Sequence, residues 1–262
     1  MEPDDLIALE NAVRLLEHPS LAARLTNLAG KPIELLGLAI PAQVSRAITT
    51  ATSKSLEAAL RVALRTMPQQ PSARSQLMHK ALATASGAAG GAFGFVSLPV
   101  ELPVSTIIML RSIADIARSE GEDLSNPEAA LSCVQVFALG GRAGSDDASE
   151  SGYFAVRGML AKTVTEAARF IGERGAIKEG GPILLRFITQ VAARFGVVVT
   201  QKVAAQALPV LGALGGAAVN YAFMEHFQDV ARSHFTIRRL ERIYGKELVR
   251  SEYERINRNT AA

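Results

Sequence analysis

The chain has 262 residues, of which 48% are hydrophobic and 5% aromatic, with one cysteine and a formal net charge of +3. This length is enough for one large domain with a sizeable core, and the single Cys133 excludes an internal disulfide. The acidic N-terminus lacks the basic start of a signal peptide, so export by that route is not expected. Abundant Ala and Leu, with few alternating β-branched residues, predict an all-α protein.

The first third of the chain predicts helices separated by proline. Pro3 is followed by two aspartates and suits a first helical turn, because proline is tolerated there and acids favour the positive end of the helix dipole. A longer helical region is predicted from about Pro32 to Thr66, with an interruption at Pro41. The sequence Met-Pro-Gln-Gln-Pro at 67–71 predicts a connection.

Two apolar, glycine-rich stretches dominate the pattern. The first runs from Ala81 to Leu110 with Glu101 as its single charged residue, and the second, Val203 to Met224, has no charge. Glycines spaced four apart leave one helix face without side chains, so that another helix can approach closely. We therefore predict one compact multi-helix domain, residues 1–262, built around two glycine-rich helices packed together in the manner of a glycine zipper.

The same two stretches raise the question of a membrane span. Residues 81–100 and 203–224 are each near the roughly 20 residues that cross a bilayer. Neither has the aromatic belt or the flanking basic residues of a typical span. Two interpretations stay open, namely buried central helices and a membrane-embedded hairpin.

The remaining helices follow from their start and stop signals. Ser125-Asn126-Pro127-Glu128 is a strong helix start, with proline in the first turn and an acid beside it. The polar segment Gly140–Gly152 predicts a loop. The predicted helices are Pro103–Glu120, Pro127–Leu139, Tyr153–Glu173, Ile183–Gln206, about Pro209–His234, and Thr236–Asn257.

An internal repeat is visible in two short segments. Gly87–Ala92 matches Gly212–Ala217, and Asp115–Ser119 matches Asp229–Ser233. Either an old duplication has placed two similar helical units face to face, or the matches arise by chance in Ala- and Gly-rich sequence.

The predicted C-terminal helix, about 236–257, is amphipathic and basic. An apolar stripe lies beside four basic residues, which are Arg238, Arg239, Arg242 and Lys246. Such a helix can lie in the headgroup layer of an anionic membrane or bind a membrane protein. Alternatively, the stripe docks on the protein body and the arginines pair with acidic residues.

Candidate chemistry is limited to carboxylates. The sequence contains no phosphate loop, nucleophile elbow or paired-cysteine metal motif. Four acidic residues are weak candidates for a catalytic or metal-binding cluster: Glu101, Asp115, Glu225 and Asp229. The Glu-x-x-His pattern of di-iron bundles is missing, so these residues also suit ion pairs between the glycine-rich helices. We expect no metal, no cofactor and no nucleic-acid partner.

Three segments together resemble the EcsC family of bacterial proteins. They are LPVELPVSTIIMLRSIADIARSEGEDL (Leu98–Leu124), VFALGG (Val136–Gly141) and GGAAVNYAFMEHFQDVARSHFTIRRLERIYG (Gly215–Gly245). The family is named after a protein encoded beside an ABC transporter, so the resemblance implies an association with membrane transport. It supplies no catalytic residues. The residues that stand in the matching motifs are Glu101, Asp115, Asn220, Asp229 and Arg239.

These observations predict a non-enzymatic, membrane-associated accessory protein linked to ABC transport or envelope physiology. It would lie in the cytoplasm, peripheral on the membrane. Two alternatives remain, a carboxylate-based and possibly metal-dependent hydrolase, and a protein that binds lipid or another hydrophobic ligand. The oligomeric state is left open.

Overall fold

The structure, a computed structural model, describes residues 1–17, 21, 24–26, 41–66, 98–140, 152–174, 181–206 and 212–261. These residues form helices and connecting turns without any strand, which confirms the all-α prediction, and they pack as one compact domain. In chain order the helices are α1 Pro3–Glu17, α2 Ala42–Thr66, α3 Leu98–Ser119, α4 Pro127–Leu139, α5 Gly152–Arg174, α6 Pro182–Gln206, α7 Gly212–Tyr244 and α8 Lys246–Ala261.

The turn between α3 and α4 forms as its sequence predicts. Gly121 has φ +81°, a left-handed conformation that glycine adopts without the strain of a Cβ. The side-chain oxygen of Asn126 then accepts from the backbone N–H of Glu128 at 2.9 Å, and Pro127 occupies the first turn of α4. This capping satisfies a donor that the helix cannot satisfy itself.

Two predicted boundaries are wrong. Helix α3 begins at Leu98 rather than Pro103, so a proline lies inside the helix. Pro103 removes one backbone hydrogen bond, and the helix nevertheless continues through this turn with the neighbouring Leu102 buried. The predicted helix Thr236–Asn257 is in fact two helices, because α7 continues to Tyr244 and Gly245, at φ +86°, separates it from α8.

Helix α4 lies at the centre of the described helices. Every side chain from Ala129 to Leu139 is buried, and α2, α3, α5, α6 and α7 all pack against it. Its Phe137 ring lies 4.9 Å from the Phe195 ring of α6 and 5.2 Å from the Phe227 ring of α7, between ring centroids. The run LSCVQVFAL therefore forms a helix that is apolar on all sides and enclosed by its neighbours.

The carbonyl at the C-terminus of α4 is satisfied by a side chain from α7. His226 Nε2 lies 2.7 Å from the Gly140 carbonyl oxygen, and because a carbonyl only accepts, this nitrogen carries the proton. Burial lowers the pKa of His226 to about 4, so the ring is neutral near pH 7. A Cβ on Gly140 would meet the Phe227 ring at 2.8 Å, which explains the glycine at this position.

Helices α3 and α7 pack side by side and run in the same direction. The residue numbers on both helices rise together from one contact to the next, so their N-termini lie at the same end of the domain. Side-chain hydrogen bonds join them at two levels, Asn220 to Glu101 at 3.1 Å and Gln228 to Ser112 at 2.7 Å, and beyond the end of α3 Arg238 binds Glu122 of the following turn at 2.8 Å.

The matched segments of the internal repeat form the same local ion pair. Asp115 pairs with Arg118 at 3.0 Å on α3, and Asp229 pairs with Arg232 at 2.6 Å on α7. Both pairs are spaced three residues apart, as neighbours on one helix face are. The other repeated segment, residues 87–92, lies outside the described residues, as do the connection at 67–71, the glycine-rich segment at 81–97 and the predicted loop at 141–151.

Candidate functional site

Glu101 is buried where α3, α6 and α7 meet. Its carboxylate accepts from Lys202 Nζ at 2.8 Å and from Asn220 Nδ2 at 3.1 Å. The Glu101 side chain is 5% exposed and the Lys202 side chain 0%. Lys202 also lies over the Phe223 ring, 5.0 Å from its centroid. A buried carboxylate has to be paired, and here the paired cation is Lys202 of α6.

The other predicted carboxylates lie away from Glu101. Asp115 is 14 residues further along α3, which corresponds to about 21 Å at 1.5 Å per residue. Glu225 and Asp229 each accept from Arg24 at 3.0 Å. In the described residues, no group of three or more His, Cys, Asp or Glu side chains is placed to hold a metal ion. The four carboxylates therefore belong to three separate groups, Glu101 with Lys202, Asp115 with Arg118, and Glu225 and Asp229 with Arg24, and do not form one cluster.

Exposed apolar side chains mark the same end of the domain as Glu101. Val100, next to Glu101, is 71% exposed, and Val104 one turn later is also exposed. Tyr221, next to Asn220, and Val197, near the end of α6, are exposed as well. We call these four side chains the apolar end. Leaving large apolar side chains in water is unfavourable, so these residues are candidates for a contact surface. Ile7, Ile243 and Leu248 are exposed elsewhere on the domain.

Within the described residues, the helix that is long and apolar enough to span a membrane differs from the two segments predicted from the sequence. Among the described helices, α6 (Pro182–Gln206) has the length and apolar composition of a span, and 39% of its most apolar window is buried. Most of the predicted span 81–100 lies outside the described residues. The predicted span 203–224 is divided, because residues 203–206 end α6 and residues 212–224 begin α7.

The arginines predicted to face a membrane pair with acids of the protein body. Arg238 makes two hydrogen bonds to the Glu122 carboxylate, at 2.8 and 3.0 Å, and Arg242 binds the same carboxylate. Arg239 pairs with Asp5 and Glu120, both at 2.9 Å. The apolar residues between them dock inward, because Ile237 and Leu240 are fully buried. The second interpretation of this segment, docking on the protein body, therefore holds for these residues.

A polar pocket of about 390 Å³ opens where α7 meets α8. We call it the α7–α8 pocket. Its residues come from the α3–α4 turn, α4, α5, α7 and α8. Its charged side chains are Glu122, Asp123, Glu128, Arg157, Arg238, Glu241, Arg242 and Lys246. Three of the four predicted basic residues thus line this pocket, and Arg239 pairs beside it.

A buried polar network continues inward from the pocket floor. Arg157 binds Glu241 through two hydrogen bonds, at 2.8 and 2.6 Å, and donates to the Tyr153 hydroxyl at 3.3 Å. That hydroxyl lies 2.9 Å from Nδ1 of the buried His234. Burial raises the pKa of Tyr153 to about 12 and lowers that of His234 well below its usual value, so both groups are neutral near pH 7.

The start of α5 is fixed by a distant carboxylate. Glu17, at the end of α1, accepts from the backbone N–H groups of Gly152 and Tyr153, at 3.1 and 3.3 Å. It also accepts from the Tyr253 hydroxyl of α8 at 2.7 Å. A carboxylate at a helix N-terminus satisfies free N–H donors and favours the helix dipole, so this contact holds Tyr153 and Arg157 in place.

Sequence reasoning missed both Lys202 and the α7–α8 pocket. Lys202 is a single charge in an apolar part of the sequence, and no motif around it indicated a partner. Arg157 and Glu241 lie on different helices and are 84 residues apart in the sequence. One signal for the pocket was available, since Arg238 lies between the apolar Ile237 and Leu240 on a helix that is otherwise buried there.

The similarity of this chain to known proteins is found at the level of a protein family. No curated protein and no solved structure matches the chain. The model of the EcsC protein family matches residues 5–240, which extends the resemblance from the segments around α3, α4 and α7 to α1. The chain belongs to the EcsC protein family.

Proposed function

We propose that this protein is a non-enzymatic accessory protein that docks on a membrane through its apolar end and acts beside a membrane transport complex. The observation that carries the docking proposal is the position of Val100, Val104, Val197 and Tyr221 at one end of the domain, all exposed to solvent. The link to transport rests on the protein after which the family is named, which is encoded beside an ABC transporter.

The surface of α6 supports contact with an apolar environment. Its exposed residues are Pro182, Leu185, Arg186, Thr189, Ala193 and Val197, and Arg194 beside them is partly exposed. A solvated helix face normally carries several charged side chains. This face has two arginines and no acid among its exposed or partly exposed residues from Pro182 to Val197, a composition that also suits the interfacial layer of a membrane.

The charges near the apolar end do not oppose docking. Glu101 and Lys202 lie within 2.8 Å of each other, and both side chains are buried. A paired glutamate and lysine present no net charge to the surrounding medium. Membrane docking at this end would therefore not have to desolvate Glu101 or Lys202 further.

Chain connectivity supports the same orientation. Residues 81–97, which precede α3, and residues 207–211, which join α6 to α7, are apolar and contain no Asp, Glu, Lys or Arg. Both segments are attached to helix ends at the apolar end. These two uncharged segments therefore connect to the part of the domain with exposed apolar side chains.

The hydrolase alternative receives less support. Glu101, Asp115, Glu225 and Asp229 are each engaged by a basic side chain at 3.0 Å or less. A general acid or base requires a carboxylate that faces a substrate cavity. None of the four lines the α7–α8 pocket.

A vesicle flotation assay tests the proposed docking. The full chain is mixed with phosphatidylcholine vesicles at low and at high salt, and compared with the variant Val100→Asp/Val104→Asp. The matched control is Ile243→Asp, which places a charge on a similarly exposed apolar residue at the opposite end of α7. We expect the parent and the control to float with the vesicles at both salt concentrations, and the double variant to stay in solution.

Two results would overturn the proposal. In the first, the parent does not float with any vesicles. In the second, it floats with anionic vesicles only, is released by salt, and loses binding in Arg238→Glu/Arg239→Glu, which would place the attachment at the charged end instead.

A further inference from the structure

The α7–α8 pocket has walls of opposite charge. The wall made by the α3–α4 turn and the start of α4 carries Glu122, Asp123 and Glu128. The wall made by α7 and α8 carries the bases Arg238, Arg242 and Lys246, with Glu241. Acids therefore collect on one side, and bases predominate on the other.

The pocket floor consists of two ion pairs with fixed geometry. Arg157 and Glu241 form a doubly hydrogen-bonded pair, and Glu122 accepts two hydrogen bonds from Arg238. Burial would raise the pKa of Glu122, but the hydrogen bonds from Arg238 and Arg242 outweigh it and lower that pKa. Planar, double contacts of this kind hold both partners in one orientation, so the floor is organised before any ligand arrives.

The charges at the rim are less fully used. Glu122 binds two arginines, Arg238 and Arg242, so these three side chains together carry a net charge of +1. Within the part of the chain that the structure describes, no ion pair involves Lys246, Asp123 or Glu128. Asp123 accepts from the Ser125 backbone and hydroxyl at 2.9 and 2.7 Å, and these bonds lower its pKa, so it stays ionised.

We propose that the α7–α8 pocket binds a small zwitterion that bears a primary ammonium and a carboxylate or phosphate. The ammonium group faces Asp123 and Glu128, and the anionic group faces Lys246 and Arg242. A ligand with charge of one sign would meet repulsion at one of the two walls. A zwitterion matches both.

The size of the pocket sets the class of ligand. Sites for small molecules occupy about 300 to 1,000 Å³, and the volume of about 390 Å³ lies near the lower limit. A compact molecule with its two charged groups a few bonds apart fits this space. The pocket lies at the end of the domain opposite the apolar end, so the ligand remains accessible when a membrane is bound.

Isothermal titration with two matched zwitterions tests the proposal, without vesicles. Phosphoethanolamine and β-alanine both carry an ammonium group two carbons from the anionic function, and they distinguish phosphate from carboxylate. Inorganic phosphate and ethanolamine are the controls, because each carries charge of one sign only. We expect one of the two zwitterions to bind saturably with a dissociation constant below about 10 mM. Both compounds with charge of one sign should bind at least tenfold more weakly.

Variants assign the two walls. Lys246→Gln and Glu128→Gln both change exposed side chains, and we expect each to weaken zwitterion binding by about tenfold. Lys162→Gln, on the exposed surface of α5, is the matched control and leaves binding unchanged. Ethanolamine affinity should fall in Glu128→Gln alone.

Three outcomes would overturn the proposal. One is that neither zwitterion binds below about 10 mM. Another is that inorganic phosphate binds as tightly as phosphoethanolamine, which would make the pocket an anion site. The third is that Lys162→Gln weakens binding as much as the pocket variants do. None of these outcomes bears on the vesicle assay, so the two proposals fail independently.

Discussion

The buried pair of Lys202 and Glu101 makes a quantitative prediction about stability. Replacing Lys202 with Met keeps a side chain of similar length and shape, so packing changes little. It removes the ammonium group that lies 2.8 Å from the carboxylate. Glu101 then retains its hydrogen bond from Asn220 at 3.1 Å but no opposite charge among the described residues.

The magnitude follows from the burial of both partners. Removing one member of a buried ion pair destabilises a protein by about 3–5 kcal/mol, because the other charge is left uncompensated. This penalty has an upper limit, because the unpaired carboxylate can take up a proton instead of staying charged. Protonating a carboxylate of ordinary acidity at pH 7 costs about 4 kcal/mol. We therefore expect Lys202→Met to lower the free energy of unfolding by about 3–4 kcal/mol at pH 7, and by less at pH 5.

The double variant Glu101→Gln/Lys202→Met separates charge from packing. It removes both charges, and the glutamine carbonyl still accepts from Asn220. We expect its stability to lie within about 1 kcal/mol of the parent, since neutral replacements of buried ion pairs are often tolerated. Urea unfolding at pH 7, followed by circular dichroism, measures all three proteins. A loss below about 1 kcal/mol in Lys202→Met, or a double variant less stable than Lys202→Met, would refute this reasoning.

Three further predictions use the same unfolding assay. The pKa of His226 is about 4 in the folded protein, so below pH 6.5 the unfolded state takes up the proton first, and this residue contributes a loss of about 2 kcal/mol in the free energy of unfolding between pH 7 and pH 5. The buried His234, whose pKa is also lowered, adds its own loss in the same pH range. His226→Gln should remove the His226 part alone, and an unchanged slope would contradict this. Gly140→Ala should destabilise by about 1–3 kcal/mol through contact with the Phe227 ring, whereas Gly158→Ala, with open space at its Cβ, should stabilise slightly. Glu101→Gln should be milder than Glu101→Leu, because only glutamine keeps the bond from Asn220; equal losses would argue against it.

Local sequence signals predicted the helices well where they act through the backbone. The Asn126-Pro127 start of α4 forms as expected, because capping depends on residues two or three positions apart. Pro103 misled the prediction because a proline usually ends a helix, whereas here the helix runs through it and the adjacent Glu101 and Leu102 are buried against other helices. Gly245 was a usable stop signal that the periodicity of the segment around it obscured.

The site was harder to predict because its partners are distant in sequence. Glu101 was among the carboxylates that the sequence suits to ion pairs, but the choice of Lys202 as its partner depends on how α3 and α6 pack. The amphipathic segment after Thr236 was ambiguous for a different reason. An apolar stripe flanked by arginines suits a membrane surface and a protein surface equally, and only the position of Asp5, Glu120 and Glu122 decides between them.

The pairing of α3 with α7 has a consequence for how the chain folds. The contacts that join these helices connect residues 116 to 119 positions apart, and the bond from Tyr253 to Glu17 spans 236 positions. Such contacts require long loops to close before they stabilise anything. During synthesis, α3 emerges well before its partner, with one side of its apolar surface uncovered. The first half of the chain therefore cannot reach its final packing until α7 has been made, and truncation before α7 should leave a collapsed, aggregation-prone chain rather than a smaller folded domain.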